Sequence, residues 1–387
     1  MRIDEESAYG GLLALGPMGS GKTRAVLQPW AGWWLRDPTA GLFAYGVKPN
    51  WSASLVAIAL AMGREPEQIH VVGPGYAPWP LIRGLEPDSV ANFVREAFRR
   101  EGAAHGGDQF FSDSATNLVR RAAAILYYSG QYLVADTLSP TGDVVRPRTL
   151  GYDLESISEI VHATGEDANT IAAAVRARAS GLEGEAAEDL EAALAGYERL
   201  TKDLPEKTRG SVVGQIDTVV EPFLSSRALR TAFCSNEEFD LESALVDGGV
   251  VVLDVDLGRY AAAARLVYLL AFEQMRRLMI RRIDDERQGH ELDPVAFVAD
   301  EYAEVATAAH KSMWRLCREA RIAPVIAYQL HSDLRSVVGG KDAADALVAG
   351  MRTKVLFATD DEASVQLAAG ALGQVDREYE STSRSTS

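Results

Sequence analysis

The sequence has little of what builds metal or disulfide frameworks. Its 387 residues include two cysteines, Cys234 and Cys317, far apart and with no His or Cys at ligand spacing. Neither a zinc site nor a disulfide scaffold is suggested, and two ordinary buried thiols in a reducing compartment are expected. No apolar run approaches the roughly 18 residues that a membrane-crossing helix needs. The opening Met1-Arg2-Ile3-Asp4-Glu5-Glu6-Ser7 lacks a basic segment leading into an apolar one, so no secretory leader is expected. Basic charge is also short: 39 Lys and Arg face 55 Asp and Glu, for a net charge of -16. A general polyanion-binding surface is disfavoured, and any contact with nucleic acid has to come from a local basic strip.

What is present is an alternation of strand and helix patterns. The apolar run Leu12-Leu13-Ala14-Leu15 ends at Gly16 and precedes an amphipathic stretch over 22–35; a strand at 41–45, a helix at 52–62 and a strand at 69–72 follow. Strands alternating with helices predict a parallel sheet. Over 88–225 the strand signal fades, and the pattern predicts helices at 89–100, 112–128, 154–163, 167–179, 185–204 and 211–224. The acidic run over 183–191 reads as a solvated helix face or as a docking face for a basic partner. The α/β pattern resumes with the β-branched run at 250–254, then a long helix over 261–282 and strands at 295–299, 323–327 and 354–358. The fold class expected is therefore α/β, a mostly parallel sheet interrupted by an all-α insertion. Residues 1–87 and 226–387 are expected to form one core domain and 88–225 an all-α insertion domain.

The chemistry starts at Gly16-Pro17-Met18-Gly19-Ser20-Gly21-Lys22-Thr23, which fits Gly-x-x-x-x-Gly-Lys-Thr between a strand and a helix. Glycines let backbone N–H groups converge on phosphates, Lys22 is placed to reach the β- and γ-phosphates, and Thr23 to ligate Mg²⁺. ATP and Mg²⁺ are the cofactors implied. A second strand, Val295-Ala296-Phe297-Val298-Ala299, ends in Asp300 and Glu301. Asp300 is the expected Mg²⁺ carboxylate and Glu301 the general base that polarises water. Gln329, after the strand at 323–327, sits where a γ-phosphate sensor belongs. Lys311, Arg315, Arg318 and Arg321 lie between these strands. Arg318, and after it Arg321, is the candidate to act on a neighbouring subunit's ATP; a solvated basic face is the plain alternative.

Taken in order, these motifs resemble the type IV secretion coupling proteins of the TraG and TraD kind, which are RecA-like DNA-translocation ATPases. The resemblance runs through the P-loop, Gly46-Val47-Lys48-Pro49, Trp79-Pro80-Leu81, Phe110-Phe111-Ser112-Asp113-Ser114-Ala115, the run at 250–254, Asp300-Glu301-Tyr302, Gln329-Leu330, and Thr359-Asp360-Asp361-Glu362-Ala363 ahead of Leu372-Gly373. It implies a ring of six around a channel, with the insertion receiving substrates on the cytoplasmic face of the bacterial inner membrane. A homo-hexamer is the expected assembly, with a monomer as the alternative for the isolated chain. The position eleven residues before the sensor glutamine, here Arg318, looks like an arginine acting across the subunit boundary. Implied partners are DNA or a relaxase–DNA conjugate and secretion components. Gly46 stands where the family usually has an aspartate, and the family's membrane helices are absent, so attachment is expected through another segment or a partner. An FtsK- or HerA-like DNA pump is the alternative motor, and a substrate receptor with weak regulatory ATPase the alternative of another class.

Overall fold

The computed structural model describes residues 4–46, 51–102, 109–129, 132–138, 144–179, 181–235, 237 and 239–373. Lys48 of the Gly-Val-Lys-Pro segment and the serine-rich end over 381–387 lie outside the described residues. Nine strands are present among them: β1 (Leu12–Leu15), β2 (Gly41–Gly46), β3 (Ile69–Val72), β4 (Tyr132–Leu138), β5 (Val144–Gly151), β6 (Val250–Asp254), β7 (Val295–Ala299), β8 (Ile322–Tyr328) and β9 (Thr353–Leu356). Seven form one sheet in the order β3-β6-β2-β7-β8-β1-β9. Every pairing in it is parallel.

A parallel sheet carries its crossover helices on both faces, so its strands are apolar throughout. Every residue of β1, β2, β7 and β8 is buried. Alternate residues divide between the faces, as the pleat requires. Leu13, Leu15, Phe43, Tyr45 and Phe297 share one cluster with the long helix Leu257–Arg287 and the insertion helices. Leu12, Ala14, Leu42, Ala44, Ala296 and Val298 share another with the helices Gln28–Trp34 and Trp51–Ala61. Each fully buried leucine or phenylalanine contributes about 1.5–3 kcal/mol.

The insertion has the expected helices: Pro87–Gly102, Gln109–Tyr128, Leu154–His162, Gly165–Ala179, Glu185–Asp203 and Glu206–Leu224. It is not all-α. Strands β4 and β5 form an antiparallel hairpin, Tyr132 opposite Gly151 and Leu138 opposite Val144. Ser139-Pro140-Thr141-Gly142, between these strands in sequence, lies outside the described residues.

The insertion shares its core with the sheet. Gln274 Nε2 on the long helix donates to the carbonyl of Arg83 (3.0 Å), and Tyr152 Oη donates to that of Leu85 (2.8 Å). The arginines of the long helix do not share one solvated face. Arg282 is buried and donates to the carbonyls of Ala320 (2.8 Å) and Asp293. Arg281 pairs with Glu242 at 2.8 Å, and Arg276 with Glu273 at 2.8 Å and Ser89. These side chains pin the helix to its neighbours, and burial lowers the pKa of Arg282. The helix also starts four residues before the expected Ala261, where a positive φ of 40° marks a kink.

Candidate nucleotide site

The P-loop leaves the carboxyl end of β1. Gly19 and Gly21 have φ of 76° and 95°, the left-handed region that a side chain resists. Gly16 is required for space, since a Cβ there would come within 2.5 Å of Phe357 Cβ beyond β9. Lys22 is 4% exposed, and its ammonium donates to the carbonyls of Gly16 and Pro17, the latter at 3.1 Å. The helix after the loop is not α throughout. Thr23–Leu27 is a π-turn, in which Gln28 N donates to Thr23 O, and α-helix resumes at Gln28. Pro29 has no N–H for the ordinary bond to a carbonyl four residues back, so the chain widens ahead of it.

Strand order places the other groups. Since β8 lies between β1 and β7, Gln329 at its end stands between the P-loop and the acidic pair, all at the carboxyl edge where open α/β sheets bind ligands. Asp300 is fully buried. Its Oδ2 accepts from Thr23 Oγ1 (3.1 Å) and its Oδ1 from the N–H of Glu301 (3.0 Å). Glu301 is 8% exposed and left-handed, with φ 50° and ψ 43°. Gln329 Nε2 donates to both of its carboxylate oxygens at 3.1 Å. A continuous polar path thus joins Thr23, Asp300, Glu301 and Gln329.

Arg318 is elsewhere. It precedes β8, at the amino edge of the sheet, with a 57% exposed side chain paired to Glu6. Arg321 is beside it, paired to Glu5 at 2.9 Å and bonded to Tyr9 Oη. The seven residues of β8 span about 23 Å at ~3.3 Å each, so neither arginine reaches this chain's own P-loop.

Two further residues at the sheet's carboxyl edge, Asp361 and His331, carry polar networks that sequence reading did not single out. Asp361 Oδ2 accepts from the N–H groups of His331 (3.2 Å) and Ser364 (2.9 Å) and from Ser364 Oγ (2.6 Å). Burial pushes its pKa up, but the hydrogen bonds from Ser364 and Ser332 outweigh burial and hold it at about 2. His331, fully buried, bonds Tyr328 Oη through Nδ1 and Asp345 through Nε2, both at 2.9 Å. Burial lowers its pKa below the ordinary imidazole value. The Asp-x-x-Ser cap signal at Asp361 was there to be found in the sequence.

The residues fit Mg²⁺ and a nucleotide. Thr23 Oγ1 and Asp300 Oδ2 are adjacent hard oxygen donors of the kind Mg²⁺ takes, and Ser20 Oγ in the loop is buried with no partner among the described residues. The described residues contain no cluster of three or more His, Cys, Asp and Glu able to hold another metal. Cys317 is buried and Cys234 partly so, with burial raising the pKa of both thiols.

The parallel sheet with its P-loop after β1 and acidic residues after β7 defines a P-loop NTPase fold. Within that class, residues 294–387 of the chain are similar to the family described as the TraM recognition site of TraD and TraG. The fold matches the bacterial conjugative coupling protein TrwBdeltaN70 in an unbound form, with TM-score 0.58, 14% identity, and coverage of 91% of this chain and 70% of that one. The plasmid coupling protein TrwB with ADP and Mg²⁺ gives TM-score 0.53 and 16% identity over 90% and 70% of the two chains. The same protein with the ATP analogue ADPNP gives 0.56 and 15% over 90% and 70%. No curated protein sequence matches. Among the described residues no helix is long and apolar enough to cross a membrane.

Proposed function

We propose that the chain is an ATP-hydrolysing coupling motor that recruits DNA or a DNA–protein conjugate and drives it into a type IV secretion channel at the cytoplasmic face of the inner membrane. The observation that carries hydrolysis is the polar path from Thr23 through Asp300 and Glu301 to Gln329. Lys22 would exchange its loop carbonyls for β- and γ-phosphate oxygens, while Thr23 and Asp300 hold Mg²⁺. When bound, the metal neutralises charge developing on the phosphates. Glu301 would take the proton of the attacking water, and Gln329, bonded to it, would register loss of the γ-phosphate.

Because Arg318 stands at the far edge of the sheet, its catalytic role requires a second copy, and a ring of six supplies one at every boundary. Residues 88–225 would form the domain that receives substrate. The ring's membrane attachment would come through another segment or a partner.

The test is the ATPase rate with and without single- and double-stranded DNA, with Lys22→Ala as control. DNA-stimulated turnover that Lys22→Ala abolishes supports the motor. Turnover indifferent to DNA in a chain shown by mass to be assembled sinks it. That result would favour a receptor for basic protein cargo, a reading supported by the net charge of -16 and by the exposed Glu185, Glu188 and Asp189 on one insertion helix.

A further inference from the structure

The helices His331–Val338, Lys341–Val348 and Glu362–Leu372, with β9 at the sheet edge, flank an open cavity of about 350 Å³. Its charge opposes that of the molecule: Arg335, Lys341 and Lys354 line it against one carboxylate, Asp345. The Arg335 side chain is 19% exposed, and its Nε is buried with no hydrogen-bond partner. Its terminal nitrogens reach only the amide oxygen of Gln366, each at a long 3.4 Å, and stand 3.7 Å from Asp345. Lys354 donates to the Met351 carbonyl at 2.7 Å, and burial lowers its pKa. A half-buried guanidinium with an unfilled edge matches the planar fork of a carboxylate or phosphate, and a second cation adds point charge. Val348 and Leu367 supply an apolar wall.

We propose that this cavity is a second ligand site, separate from the P-loop, for a small organic oxyanion: a phosphate monoester or a carboxylate with an apolar body. Arg335 grips the oxyanion, Lys354 and Lys341 balance its charge, and the apolar wall takes the remainder. The site is wired to the nucleotide pocket. Asp345 accepts from Lys341 at 2.5 Å and bonds His331 at 2.9 Å; His331 in turn bonds Tyr328, whose neighbour is Gln329. An oxyanion that draws Arg335 and Lys341 away from Asp345 changes the charge facing His331, and occupancy is felt at the end of β8.

The test is calorimetric titration of the full chain, saturated with Mg-ADP to fill the P-loop, with phenyl phosphate and separately with benzoate. One-site binding of either probe is expected, and the arm that binds identifies the oxyanion. Arg335→Gln and Lys354→Met should each weaken it at least about tenfold. Unchanged Mg-ADP affinity in both variants shows that they fold. Absence of binding by either probe at millimolar concentration overturns the proposal, as does binding that both variants leave intact. A signal suppressed by Mg-ADP and indifferent to Arg335→Gln belongs to the P-loop, which also overturns it. If the chain fails to bind Mg-ADP, the nucleotide reading falls, while the response to Arg335→Gln still decides this one.

Discussion

Glu301 is held in two ways that bear on its chemistry. Its left-handed backbone costs about 1–3 kcal/mol, which the surrounding strand ends must sustain. Its carboxylate is fixed by two bonds from Gln329. Such a side chain is aimed before substrate arrives, which suits a general base. Glu301→Gln should therefore lower turnover by about 10²–10⁴. Nucleotide affinity, measured by fluorescent-analogue titration, should stay close to that of the parent chain, because the change removes the base and leaves the phosphate cradle. Equal loss of binding would reassign Glu301 to holding the nucleotide.

At the scale of elements, the cap of the helix Leu154–His162 carries an uncommon cost. Asp153 accepts from Ser156 N (2.8 Å) while 7% exposed, and burial pushes its pKa from 3.8 to about 6. A raised carboxylate pKa means that the folded chain holds the proton between about pH 4 and 6 and the unfolded chain does not. The sign is thus a cost at neutral pH that fades as pH falls toward 4. At about 1.4 kcal/mol per pKa unit, the cost at pH 7 is on the order of 3 kcal/mol. Asp153→Asn, which keeps a capping oxygen, should raise stability in urea at pH 7 by about 1–3 kcal/mol, with the gain vanishing near pH 4. A loss at pH 7 would show that the charge on the cap outweighs its burial. Elements like this helix were plain in the sequence, as were the sheet strands, because apolar runs and 3.6-residue periodicity are local signals. The hairpin was hidden because strands of seven and eight residues flanked by helical patterns also look like helix ends. The positions of Lys22, Asp300, Glu301 and Gln329 at the carboxyl edge of the sheet were legible because each follows a readable strand. The bonds among them, and the network through His331 and Asp361, depend on strand order, which no local pattern encodes.

Across the whole molecule, the distance between Arg318 and the P-loop sets a condition on activity. If Arg318 completes a neighbour's site, Lys22→Ala and Arg318→Ala chains, each inactive alone, should regain turnover when mixed. Each boundary pairing an intact P-loop with an intact arginine is then complete. ATPase measured on mixtures at constant total protein checks this, and no recovery would leave Arg318 a surface residue tied to Glu6. The strand order has a further consequence, for the order of assembly. Strands β3 and β6 are neighbours, yet Ile69 faces Val250, a separation of 181 positions (250 − 69). Everything between them is topologically a single crossover. Bringing such distant ends together in an unstructured chain costs about 4–5 kcal/mol of loop-closure entropy. The helices in between, rich in contacts close in sequence, condense early and shorten that span. Early helix formation in the insertion would therefore lower the entropic cost of bringing β6 beside β3, and a refolding chain with those helices weakened should form the sheet more slowly.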